Sequence, residues 1–109
     1  MFDKSQLMRG TLEGCILKII SKNITYGYEI MEKLTSYGFE DIREGTIYPL
    51  LVRLEKKDLI SSEFKPSPLG PSRKYYTITT EGLEMLHSFE EYWISIAKTV
   101  SKILSLEVK

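Results

Sequence analysis

Apolar residues recur at helical spacing in four stretches of this chain, and the interval between the third and fourth reads as two short strands. Leu12, Cys15, Ile16, Ile19 and Ile20 mark an amphipathic first helix of about Ser5 to Ser21, whose other face holds Gly10 and Gly14. In the second, Tyr26 to Tyr37, Ile30, Met31 and Leu34 share a face, and Gly38 is placed to stop the helix. The third buries Ile47, Leu50, Leu51 and Leu54, turns Thr46, Pro49, Arg53 and Lys56 outward, and ends at Asp58. Pro49 costs nothing if this helix starts near Thr46 and predicts a kink if it starts near Arg43. Strands of about Leu59 to Phe64 and Lys74 to Thr79 follow, and the prolines and glycine of the tip from Lys65 to Ser72 oppose regular pairing there.

Thr80 is placed to cap the last helix, about Thr80 to Leu106, and Glu81 in its first turn suits the helix dipole. Leu86, Trp93 and Val100 stand seven apart, as do Phe89, Ile96 and Ile103, and the two series interleave like the seam of a coiled coil. Such a stripe also serves as the core face of a monomer. A helix of about 26 residues, however, runs roughly 39 Å, longer than the body of so small a domain. Its far half needs a second chain to cover it, so a two-fold dimer built on this helix is expected.

At 109 residues the chain holds one small core, and its fifteen basic and fifteen acidic residues leave it formally neutral. Bulk charge therefore gives no hint of a polyanionic partner, but the distribution does. From Gly45 to Lys74, six cations (Arg53, Lys56, Lys57, Lys65, Arg73, Lys74) face three anions, while Glu81, Glu84, Glu90 and Glu91 make the start of the last helix acidic. Cys15 and His87 are each single, which excludes an internal disulfide and a Cys/His metal site. With no paired carboxylates in a plausible cleft and no phosphate loop, no enzyme, metal or cofactor chemistry is expected. No apolar run approaches the roughly 20 residues of a membrane span and no secretory leader is evident, so a soluble, reducing, cytoplasmic setting is expected.

A helix that buries one face and presents the other beside a basic hairpin fits a DNA groove. The expected fold is therefore mainly α with a small β-hairpin wing, a winged helix-turn-helix, with residues 1–79 as the DNA-binding part and 80–109 as the dimerisation helix. Candidate contacts to double-stranded DNA are Thr46, Tyr48, Pro49 and Arg53 on the third helix, Arg73 and Lys74 on the wing, and Tyr26 and Tyr28 at the start of the second helix. Each has a plainer reading. Arg53 can pair with a surface carboxylate, Tyr48 can pack beside Ile47 and Leu50, and one of Tyr26 and Tyr28 can belong to the core.

The segments GTIYPLLVRLEKKDLI and RKYYTITTEG, with YGYEI at Tyr26 to Ile30, resemble the PadR family of bacterial transcriptional repressors across Leu7 to about Ile103. One helix after the wing is similar to the short-form members, which the resemblance implies dimerise through it: here Leu86, Phe89, Trp93, Ile96, Val100 and Ile103 would form the seam. Two positions depart from the family pattern, Asp58 for the usual glycine after the recognition helix and Arg43 for the usual Ser or Asp cap.

Gly10 and Gly14, four apart, each cost a helix roughly 1 kcal/mol relative to alanine, so either another helix packs closely there or a space is left. The resemblance implies a flat cavity at the dimer centre between paired copies of Trp93, as in multidrug-sensing relatives. Glu13 beside it would favour a planar aromatic cation, although Ala97, one turn on, supplies no acid where a drug-binding relative has one. The expectation is a dimeric repressor of a palindromic operator, released by a small aromatic ligand. A winged-helix protein-docking module without sequence-specific DNA binding is the alternative.

Overall fold

Gly10 divides the first helix in two. In the computed structural model, which describes residues 1–106, α1 (Lys4–Met8) is a single capped turn and α2 (Thr11–Lys22) begins after Gly10 at φ 78°. The two glycines therefore do not share a helical face, because the first takes the left-handed backbone that only glycine adopts without strain. Asp3 caps α1, its carboxylate accepting the Ser5 N–H at 3.1 Å. From α2, Leu12, Ile16, Leu17, Ile19 and Ile20 enter the core.

The segment after α2 contains a strand too short for any periodicity to announce. β1 (Thr25–Tyr26) leads into α3 (Gly27–Tyr37), which stops where expected. Gly38, at φ 123°, donates its N–H to the Leu34 and Thr35 carbonyls. α4 (Glu44–Lys56) starts at Arg43, which caps it without a side-chain bond, so Pro49 lies inside the helix and the Gly45 carbonyl loses its partner four residues on. The helix runs through Pro49 unbroken and buries Ile47, Leu51 and Leu54. It closes with crossed bonds from Asp58 N–H to Glu55 O (3.0 Å) and from Leu59 N–H to Leu54 O (3.0 Å). Asp58 takes the left-handed conformation, φ 60°, that explains why glycine is usual there.

The wing is longer than its prolines suggest. β2 (Ile60–Ser67) and β3 (Gly70–Ile78) pair antiparallel nearly to the tip, leaving only Pro68 and Leu69 in the turn. The prolines are accommodated by an irregularity between the Lys65–Arg73 rung and the Ser67–Gly70 rung, which gives β3 one extra residue. β1 adds to the other edge of β3, Thr25 opposite Tyr76, to complete a sheet ordered β1-β3-β2.

Thr79, not Thr80, caps the last helix. Its hydroxyl accepts the Gly82 N–H at 3.0 Å and donates to the Asp58 carbonyl at 2.7 Å, tying the helix start to the end of α4. α5 (Thr80–Leu104) ends two residues before Leu106, with Ser105 left-handed; residues 107–109 of the expected dimerisation segment lie outside the described residues. Gly82 and Leu86 are buried in the body of the molecule, Phe89 and Glu90 still lie against α2, and beyond them the helix leaves it. With 25 residues it is about 37 Å long, in a molecule of 52 × 32 × 23 Å.

Candidate nucleic-acid interface

Packing of α4 against the core decides which of its side chains remain available. Because Ile47, Leu51 and Leu54 point inward, Thr46, Pro49, Arg53 and Lys56 lie exposed on the opposite face, as the spacing predicts. Tyr48 is half-exposed, with its ring against the first turn of α3: a Cβ on Gly27 would meet the Tyr48 hydroxyl at 2.6 Å. Gly27 is thus a site residue that the sequence reading missed. Its signal was the glycine between Tyr26 and Tyr28, which clears room for a second tyrosine arriving from α4.

Tyr26 and Tyr28 divide as the plainer reading allows. Tyr26 is half-buried, edge-on to Tyr75 at 5.5 Å and covered by the Arg73 guanidinium at 4.5 Å, while Tyr28 is exposed. The cation–π contact fixes Arg73 on the outer face of the wing. Lys65 sits in the same way over Tyr75, at 5.6 Å, and pairs with Glu63 at 3.7 Å. Arg73 and Lys74 therefore point to opposite faces, since successive strand residues alternate.

Two of the expected contacts already hold carboxylates. Arg53 donates to Glu13 on α2 at 3.1 Å, and Lys74 reaches Glu55 on α4 at 3.2 Å. Both pairs are partly exposed, so each contributes little to stability, but each must open for its cation to reach a phosphate. The Ser62 hydroxyl, and after it Lys74, hold the Glu55 carboxyl below the usual carboxylate range, against the effect of burial. Arg53 and Lys74 are thus held by different carboxylates, while Arg73 lies on the other face of the wing over Tyr26. Among the described residues, Arg43, Lys56 and Lys57 make no ion pair, and Arg43, at the N-terminus of α4, was not among the expected contacts.

Of the residues expected at an effector site, Gly10 caps α2, and Gly14 is a notch filled by the Phe89 ring of α5. The helix-against-helix alternative therefore holds within the single chain, and no space is left over Gly14. Glu13 faces Arg53. Phe89 and Trp93 lie nearly parallel at 6.5 Å, with the Trp93 ring half-exposed and Ala97 one turn on. The expected seam divides likewise. Leu86, 2% exposed, belongs to the chain's own core and has nothing to offer a partner; Phe89 is held against Gly14; Trp93, Ile96, Val100 and Ile103 are exposed. Among the described residues no cluster of metal ligands is present, and no helix is long and apolar enough to cross a membrane.

The family model for PadR-like transcriptional regulators matches residues 16–88. The chain is similar to the crystal structure of a PadR-like transcriptional regulator from Bacillus cereus, at 50% identity over 94% of this chain and 99% of that one, TM-score 0.82. It is likewise similar to a Streptococcus transcriptional regulator, at 44% identity over 90% and 96% of the two chains, TM-score 0.81. An uncharacterized protein from Lysinibacillus sphaericus is 34% identical over 100 residues, 89% of this chain and 91% of that one.

Proposed function

The chain belongs to the PadR-like family of transcriptional regulators, and from that premise we propose that it is a cytoplasmic repressor that binds a palindromic operator as a homodimer. The observation that carries the reading is the exposed face of α4, with Thr46, Pro49, Arg53 and Lys56 turned outward beside the cationic wing. A helix presented so enters a major groove, and a two-fold dimer repeats it about one helical turn along the duplex. The dimerisation segment is 80–109, and what supports it is the apolar row that α5 leaves uncovered.

Genome-wide DNA capture supplies the operator, and binding at several salt concentrations then tests the contacts. Arg73→Ala with Lys74→Ala weakens binding to all duplexes and flattens the salt dependence by a slope of about 0.9 for each lost phosphate contact. Arg53→Ala instead costs roughly 1 to 3 kcal/mol on the operator alone if Arg53 leaves Glu13 to read a base. Equal loss on operator and random duplex makes Arg53 a backbone contact. Neutralisation of Arg53 and Lys74 by Glu13 and Glu55 favours the alternative of a protein-docking module, and a salt-dependent operator shift separates the two.

The proposed effector is a planar aromatic compound stacked on the exposed Trp93 ring. Its support is the parallel Phe89–Trp93 pair, to which a flat ring adds roughly 0.5–1.5 kcal/mol per stacking contact beyond area burial. Trp93 is the only tryptophan, so its fluorescence reports the site directly. Ethidium-like or bisbenzimide-like dyes quench it saturably, and Gly14→Leu, which expels Phe89 from its notch, abolishes the quenching; an unquenched wild type removes the effector from this reading. Operator release follows only if the dye prefers a dimer geometry that misplaces the half-sites.

A further inference from the structure

We propose that Leu69, at the tip of the wing, is an apolar wedge that enters the minor groove of duplex DNA and unstacks a base step there. The inference rests on the DNA-binding reading above and adds a residue and a mode of recognition to it. Leu69 is 98% exposed, so its side chain has no packing role in the folded chain. It occupies the two-residue turn with Pro68, where the paired strands carry it away from the core.

Its surroundings suit it to one occupant. Pro66, Pro68 and Pro71 crowd the tip and each fixes its own φ near −65°, so the leucine is presented on a stiff support and little freedom is lost when it is gripped. From Lys65 to Lys74 the sequence carries three cations and no carboxylate. Of these, Arg73, stacked on Tyr26, makes no ion pair among the described residues, while Lys65 and Lys74 hold Glu63 and Glu55 and must release them to act on DNA. That charge suits the negative potential of the minor groove. A groove about 6 Å wide admits one aliphatic side chain but not the whole hairpin, and insertion of such wedges between base pairs is an established way to kink a duplex. Flexible pyrimidine–purine steps yield most easily to it, so the wing selects sequence at positions that α4 does not touch.

The test uses the intact protein and the capture-derived operator, with 2-aminopurine placed at successive steps flanking each half-site. Wild-type protein brightens the probe at one step, where the base is unstacked. Leu69→Ser loses the brightening and binds the operator about 100-fold more weakly, as expected for losing the burial of one leucine side chain from each of two wings, while the salt dependence stays unchanged; Leu69→Met retains the signal. The wedge is overturned if wild type brightens no step, if Leu69→Ser matches wild type in affinity and signal, or if its loss comes with a flatter salt dependence, which assigns the tip to the phosphates. A wild type that binds no duplex overturns the DNA-binding reading and the wedge together, whereas tight binding without a bright step overturns the wedge alone.

Discussion

Replacing Ile96 and Val100 with glutamate converts the protein to folded monomers that bind the operator about 100-fold more weakly or worse. Both side chains are about half-exposed, 53% and 45%, so the change removes nothing from the chain's own core and the fold is retained. In the proposed dimer the same positions face a symmetry mate. Four new carboxylates, two from each protomer, would then be desolvated without partners, at a cost no small interface offsets. Sedimentation at micromolar concentration reads the dissociation, and circular dichroism confirms that helix content is unchanged. The affinity falls because a monomer engages one half-site at a time, whereas linkage makes the second engagement intramolecular. A wild-type chain that sediments as a monomer at micromolar concentration would sink the dimer and, with it, the palindromic operator.

Gly82→Ala is expected to destabilise the fold by about 3 kcal/mol at fixed protein concentration, the cost of overpacking together with a damaged helix cap. A Cβ there overlaps the Leu59 carbonyl and comes within 2.7 Å of Ile78 Cγ1. The carbonyl cannot move aside, because it accepts the Thr79 N–H at 3.1 Å, and retreat of α5 pulls Gly82 from the Thr79 hydroxyl. For a domain of this size the melting temperature falls by roughly 15 °C. Gly14→Ala is milder, since the atoms it meets belong to the Phe89 ring, which can swing outward. Gly45→Ala, with nothing within 4 Å, leaves stability unchanged or raises it by up to about 1 kcal/mol. Equal melting temperatures for the Gly82 and Gly45 variants would contradict this packing.

Those contrasts show what was legible in the sequence. Gly38 as a helix stop and the inward row of Ile47, Leu51 and Leu54 follow from spacing alone, because helix geometry converts spacing directly into faces; Leu50, expected in the same row, lies at its edge and is only half-buried. Gly10 and Gly14 look alike as letters, yet one ends a turn and the other receives Phe89, a residue 75 positions away that no local pattern connects to it. β1 was hidden because two residues carry no alternation, and the wing ran past its prolines because an extra residue in β3 absorbs them. Least legible were the charges. Arg53 and Glu13 stand 40 residues apart, and only the tertiary fold reveals that they neutralise each other.

β1 has a mechanical consequence. Through Thr25 and Tyr26 it bolts the entrance of α3 to the middle of β3, and Arg73 clamps Tyr26 from above. Wing and helix-turn-helix thus form a single plate through the β1–β3 pairing, and bending one against the other means breaking those rungs. α5 is tied to this plate twice, at its start through Thr79 and Gly82 against Asp58 and Leu59, and further along through the Phe89 ring seated on Gly14 and the Lys18–Glu90 pair at 3.3 Å. A change in the direction of α5 is therefore passed to the reading head as a rigid-body turn rather than as a bend.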